Sequence, residues 1–503
     1  MDDTERKIMK NIWLLYLTAL LQLMVACQPK PHDVHEMDRL PAIYPDYIDV
    51  TVPVDIAPLN FAMSNDSIDW ICVEVKGAKG TVLTAEGEDT DFDIDEWHRL
   101  LADNKGGQLT VTVTARKEDQ WTRYRPFYIY VSQWPLGEWG VTYRRIAPGY
   151  SMYGLMGLWQ RCLSNFEESP LIVSSQVPGQ CLNCHTSNRT NPDEYVYHIR
   201  GAHGATAVHR KGRDELLKAR NDTLGGSMVY PCWHPGGCYC AFSTNKTAQL
   251  FHLANPKLIE VYDNSSDIFI YDTETHTILE DTLTMTTAWS ENTPSFSGDG
   301  KWLYFTTARQ RSYPKDYKEQ RYNLCRVAFD ERTGQMGQKV DTLIHADAMQ
   351  KSVTWPRVSY DDRFVMYTLI DYGYFSVWHP EADLWLLDLK TGTTRPLDEV
   401  NSLRSESLHQ WSANSRWFLF TSRRDDNRYT RLYFASVDTV GHVTKPFMLP
   451  QRHPKEYYRL LLDSYNTPDF TLRPIETNAS EMGRKIEGDE RVKTQVKMMN
   501  SAK

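Results

Sequence analysis

A chain of 503 residues, 41% hydrophobic and 24% charged, has a globular composition with room for two or more domains, which excludes wholesale disorder. The formal net charge of −9 argues against a nucleic-acid partner, because a phosphate backbone needs a basic face. With 15 Trp and 28 Tyr, the aromatic content suits a β-rich fold.

Residues 1–27 read as an export signal. "MDDTERKIMK" precedes "NIWLLYLTALLQLMVAC", an apolar run too short for a membrane-spanning helix, which needs roughly 20 apolar residues. "LMVAC" resembles the lipobox of bacterial lipoproteins, with the leucine one place further upstream than the usual pattern. The resemblance implies cleavage before Cys27, lipid attachment to its thiol and anchorage to a membrane of the cell envelope. Residues 28–43 are polar and contain proline, as a tether would.

Residues 44–140 alternate apolar and polar positions in "YIDVTVPVDI", "WICVEVKG" and "GGQLTVTVTAR", with a further strand at "PFYIYVSQW". One helical piece, "DIDEWHRLLADN", interrupts them, with acidic residues in its first turn and Asn104 near its end. This pattern predicts a small β-sandwich-like domain. Residues 141–175 read as a partly helical connector.

From residue 176 to 475 the chain repeats. "PCWHPGGCYCAFST" from Pro231, "PSFSGDGKWLYFTT" from Pro294, "PRVSYDDRFVMYTL" from Pro356 and "HQWSANSRWFLFTS" from His409 fall into register. Each is followed by strand, Asp, turn and strand, as in "ADLWLLDLKTG". Radial repetition of four-stranded units predicts an all-β fold, a β-propeller behind the smaller domain. Residues 476–503 read as a charged, polar tail, frayed or a loose helix.

"PSFSGDGKWLYFTT" resembles the blade motif of TolB-type propellers, and the other three copies depart from its Gly-Asp-Gly turn. The arrangement as a whole is similar to a family of Bacteroidota envelope lipoproteins that joins an N-terminal β domain, a C-x-x-C-H segment and a TolB-type propeller. Members are often labelled c-type cytochrome or cytochrome-biogenesis proteins.

That segment is "CLNCH", residues 181–185. Two thiols at this spacing match the two vinyl groups of a c-type haem, and the following histidine matches its proximal ligand. Cys181 and Cys184 would then anchor one covalent haem, with His185 on the iron. His198 and His203 are the distal candidates, with His209, His234, Met152, Met156 and Met228 as further ones. Arg200 is placed to meet a propionate.

Two other chemistries fit the same residues. Cys181 and Cys184 could share a zinc ion with thiols of "CWHPGGCYC", or form disulfides with each other or with Cys232, Cys238 or Cys240. Cys72, Cys162 and Cys325 complete the set after Cys27.

The expected function is electron transfer or redox-linked binding in the envelope, with a redox or envelope protein as partner. The alternative is a haem-free propeller that binds a glycan, a peptide or an envelope protein. Catalysis would require a carboxylate or histidine cluster at the channel mouth.

Overall fold

The computed structural model describes residues 29–149, 156–218, 227–488 and 490–499. Cys27, with the rest of the export signal, and Met152 lie outside the described residues.

The N-terminal domain is built on a seven-stranded sheet. Its central strands, Trp70–Gly77 and Gln108–Lys117, pair antiparallel. Ile71, Val73 and Val75 and the facing Leu109, Val111 and Val113 are buried, as period-2 alternation requires. Helix α1, Ile94–Asp103, starts where the Asp93 carboxylate accepts the Glu96 N–H at 2.9 Å. It buries Trp97, Leu100 and Leu101 in the core of the domain. That core continues into the last propeller blade through Trp417, Phe420 and Phe447, and Trp417 Nε1 donates to the Trp134 carbonyl. The domain is therefore packed onto the propeller rather than strung from it.

The propeller has six blades. Blades two to six begin with the strands Cys181–Asn188, Ser227–Trp233, Trp289–Phe296, Ser352–Val358 and Glu406–Trp411. Each of these strands touches its counterpart in the next blade. The C-terminal strand Ser464–Thr471 closes the ring by pairing with Gly140–Ile146 as the innermost strand of blade one. Innermost strands thus line a central channel.

One expectation needs correction, and one alternative is decided. Residues 141–175 are not a helical connector but supply the three outer strands of blade one, ending at Glu168–Val173. Among the described residues their one helical element is the 3₁₀ turn Ser174–Gln176. The polar tail is structured as well. Helix α3, Ala479–Glu487, follows the short helix α2, Pro454–Leu460, and buries Met482 and Ile486. The strand Gln495–Met498 then adds in parallel to Thr277–Glu280 as a fifth strand of blade three. Apolar contacts along one face of a charged helix outweigh the composition that suggested fraying.

The repeated turn has a physical basis. Ser297, Ser359 and Ser412 each donate a hydroxyl to the Asp or Asn two positions on. Each also accepts the backbone N–H that opens the next strand, at Trp302, Phe364 and Trp417. In blade three His234 takes the serine position, and its Nδ1 accepts the Gly236 N–H at 3.0 Å. Gly298 has no alternative, because a Cβ there would stand 2.2 Å from the Tyr360 carbonyl oxygen of the adjacent blade.

A chain ended at Asp463 should lose cooperative unfolding, since blade one would lack its innermost strand and the core would lack Phe470. Thermal denaturation checks this. A truncated chain that melts in one transition at the full-length temperature would contradict the closure.

Candidate functional site at the channel mouth

Every innermost strand carries the same irregularity. Cys184, Tyr230, Thr293, Trp355, Leu408 and Thr467 all have positive φ, between 40° and 55°. At each, three steps along the innermost strand oppose two on its neighbour. These are β-bulges of one extra residue. The next residue is Pro231, Pro294, Pro356 or Pro468 in four blades, and proline suits a position where the ladder leaves an N–H unpaired. In the other two blades that residue is His185 or His409. "CH" in the C-x-x-C-H segment is therefore the bulge of blade two.

A cavity of 410 Å³ opens at this end of the channel. Five of the six blades contribute to its wall, blade four being absent. Tyr230, Trp355 and Leu408 face it from bulge positions, and Phe375 and Trp378 from the segment after blade five's second strand. Thr247, Gln249 and Phe251 line it from alternate positions of Tyr239–Phe251, the first arm of a long hairpin in blade three. Arg144, Arg200 and Arg423 also line it. No Asp, Glu, Lys or His is among the described lining residues.

Cys181, Asn183 and Cys184 line this cavity. The bulge explains how thiols three positions apart reach one side, which a regular strand forbids. Both are buried, at 7% and 4% exposure. Arg144 donates from Nη2 to Cys181 Sγ at 3.3 Å and Met156 Sδ at 3.4 Å, and from Nη1 to Asn183 Oδ1 at 3.1 Å. Burial pushes the Cys184 thiol up, against the pull of Arg200 and Arg144.

His185 points elsewhere. Its ring borders the space between blades one and two beside Leu158, Ile172, Tyr195 and Tyr197, and a small void of the channel that Cys184 also lines, with Nε2 3.1 Å from Thr142 Oγ1. Burial lowers its pKa to about 4, and that of His409 in the equivalent place to about 3. A covalent haem needs the thiols and the imidazole on one side of the peptide. The two thiols line the mouth cavity and His185 does not, so a haem held by all three would need the histidine ring turned toward that cavity. His198 and His203 are not among the residues that line the thiol cavity. His198 is buried with Nδ1 3.0 Å from Thr206 Oγ1, and His203 sits in the following turn, its N–H donating to Gln180. His209 pairs with Asp214, His234 with the Gly300 carbonyl, and Met228 is core. Among the described sequence candidates, Met156 and Arg200 alone share the cavity with the cysteines.

The eight described cysteines are free. No group of three His, Cys, Asp or Glu side chains suited to a metal ion occurs among the described residues. Cys232 Sγ accepts the Phe296 N–H of the next blade.

Residues that motif reading missed hold the mouth in shape. His379 is buried between two carboxylates, with Nδ1 3.0 Å from Glu381 and Nε2 3.1 Å from Glu260. Lys257, at the hairpin tip, pairs with Glu381 at 2.5 Å and lies 4.3 Å from the centre of the Tyr372 ring. Tyr372 donates its hydroxyl to Glu260. The network ties the long hairpin to the segment that carries Trp378. Burial alone would lower the His379 pKa, but its bonds to Glu260 and Glu381 raise it. Glu260 is correspondingly held low: burial would raise it, and the bonds from His379 and Tyr372 prevail.

No family model matches the chain. A stretch of 97 residues is 34% identical to a probable dipeptidyl-aminopeptidase B of Talaromyces stipitatus, covering 19% of this chain and 10% of that protein. Among solved structures, an oligogalacturonate lyase in complex with manganese aligns over 62% of this chain and 74% of its own, at 12% identity and a TM-score of 0.34. The tricorn protease aligns over 80% of this chain and 36% of its own, at 12% identity and a TM-score of 0.35. An oligogalacturonate lyase from Vibrio parahaemolyticus covers 59% and 91%, at 9% identity and a TM-score of 0.32.

The raised pKa of His379 fixes the sign of a pH effect. Its contribution to stability is full below the ordinary histidine value of about 6.5 and is lost as pH rises through the folded value. The lowered Glu260 contributes above the ordinary carboxylate range and is lost only as pH falls through its own folded value. The melting-temperature difference between wild type and His379→Gln should therefore be largest near about pH 5.5–6.5 and shrink on the alkaline side. A difference that grows with pH would contradict the assignment.

Proposed function

We propose that the chain is a lipid-anchored envelope protein whose propeller captures a ligand at the channel mouth. The observation that carries this reading is the 410 Å³ cavity, walled by aromatic and neutral polar side chains from five blades. Its size and mixed lining are those of small-molecule sites. The polar groups turned into it are amides, hydroxyls and guanidiniums, which suit recognition, whereas hydrolysis by paired carboxylates would need residues of another kind. The lipobox-like segment at Cys27 supports the envelope location.

The redox reading draws on one feature, the presentation of Cys181 and Cys184 to a common cavity. It requires His185 to leave its place between blades one and two. Binding requires no rearrangement.

Gln249 is exposed and lines the mouth from the hairpin, so Gln249→Trp should obstruct entry without touching the core. Calorimetric titration with a panel of neutral and acidic tetrasaccharides and short peptides should find a member that binds wild type and binds the variant at least about 10-fold more weakly, a difference of about 1.4 kcal/mol. A panel with no binder, or a binder indifferent to the obstruction, would contradict the proposal.

A further inference from the structure

The charge of the cavity opposes that of the protein. The chain carries a net −9, yet three arginines and no described carboxylate line the mouth. None of Arg144, Arg200 and Arg423 has a carboxylate within salt-bridge distance among the described residues. Arg144 is 8% exposed and its Nε has no hydrogen-bond partner. Its remaining N–H groups meet two sulfurs and one amide oxygen, and sulfur is a weak acceptor. A guanidinium taken out of water without an anion is costly. Burial lowers the pKa of Arg144, and that of Arg423 to about 9, which expresses the same cost. The raised Cys184 thiol does not supply the missing negative charge. An entering anion would.

The remaining lining narrows the anion. Asn183, Gln249, Ser376 and Asn466 offer amide and hydroxyl groups, each able to donate and accept, as a polyhydroxylated ring demands. Trp355 and Trp378 offer flat apolar surface beside them. Resting on the binding reading above, we propose that the ligand is an acidic saccharide, with a ring carboxylate held between Arg144 and Arg200 and hydroxyls met by the neutral polar side chains. Planar guanidinium forks suit a carboxylate in particular.

The test is calorimetric titration of the full mature chain with a tetramer of mannuronic acid and with cellotetraose, a neutral chain of equal length. The uronate should bind at least about 10-fold more tightly, the increment of one charge-assisted hydrogen bond. Raising salt should shrink the advantage. Arg200→Gln, which removes a half-buried side chain with no carboxylate partner, should erase the advantage, weakening uronate binding at least about 10-fold more than cellotetraose binding. Arg144→Gln should do the same, and circular dichroism of both variants reports folding. Equal affinity for the two saccharides, both weakened by Gln249→Trp, would overturn the acidic saccharide and leave the binding reading standing. Binding of oligoglutamate in preference to the uronate would overturn it in favour of an acidic peptide. If no saccharide and no peptide binds, both readings fall.

Discussion

Each innermost strand carries one residue more than its neighbour across a single bulge, and a left-handed residue absorbs the difference at the equivalent place in all six blades. This bulge turns one side chain per blade toward the channel and frees the next residue from the ladder. The cavity, the placement of the two thiols and the burial of His185 all follow from it. Remove the bulge from blade two, and Cys181 and Cys184 would face opposite sides of the strand.

The mouth is then shaped by what stands around the bulges. A long hairpin from blade three rises beside it and is held by the buried His379 between Glu260 and Glu381, with Lys257 at the hairpin tip. The ion network keeps its carboxylates outside the cavity, while the arginines that line the cavity have none. The carboxylates near the site are thus neutralised by their own partners, and the positive charge inside the cavity is left uncompensated. Such a separation in a low-dielectric pocket strengthens any interaction with an entering anion.

Much of the fold was legible because the propeller repeats. The register of Pro231, Pro294, Pro356 and His409 marks the residue after the bulge in blades three to six, and the Ser-x-Asp turn marks the start of the next strand. The first two blades escaped notice for opposite reasons. Blade one is split between Gly140–Val173 and Ser464–Thr471, so no continuous window contains it. Blade two has His185 where most blades have proline, inside a pentad with a strong chemical meaning of its own. Spacing alone does not say whether Cys-x-x-Cys-His lies on a helix or on a strand, and only the backbone decides on which side the histidine falls. Arg144, Trp378 and His379 were invisible to motif reading, since each has a decisive partner more than 30 positions away, Asn183, Arg423 and Glu260 respectively. A signal for Tyr230 and Trp355 was present: each directly precedes an aligned proline.

The position of the histidine decides what the pentad can hold. The most direct measurement is the reduced absorption spectrum of the mature chain, produced in a host with c-type cytochrome maturation, beside a Cys181→Ala/Cys184→Ala variant. With His185 packed between blades one and two, wild type should be folded and colourless, with both thiols open to alkylation once unfolded. A covalent haem spectrum in wild type, lost in the variant, would contradict that placement and require His185 to swing out to the cavity side of the strand.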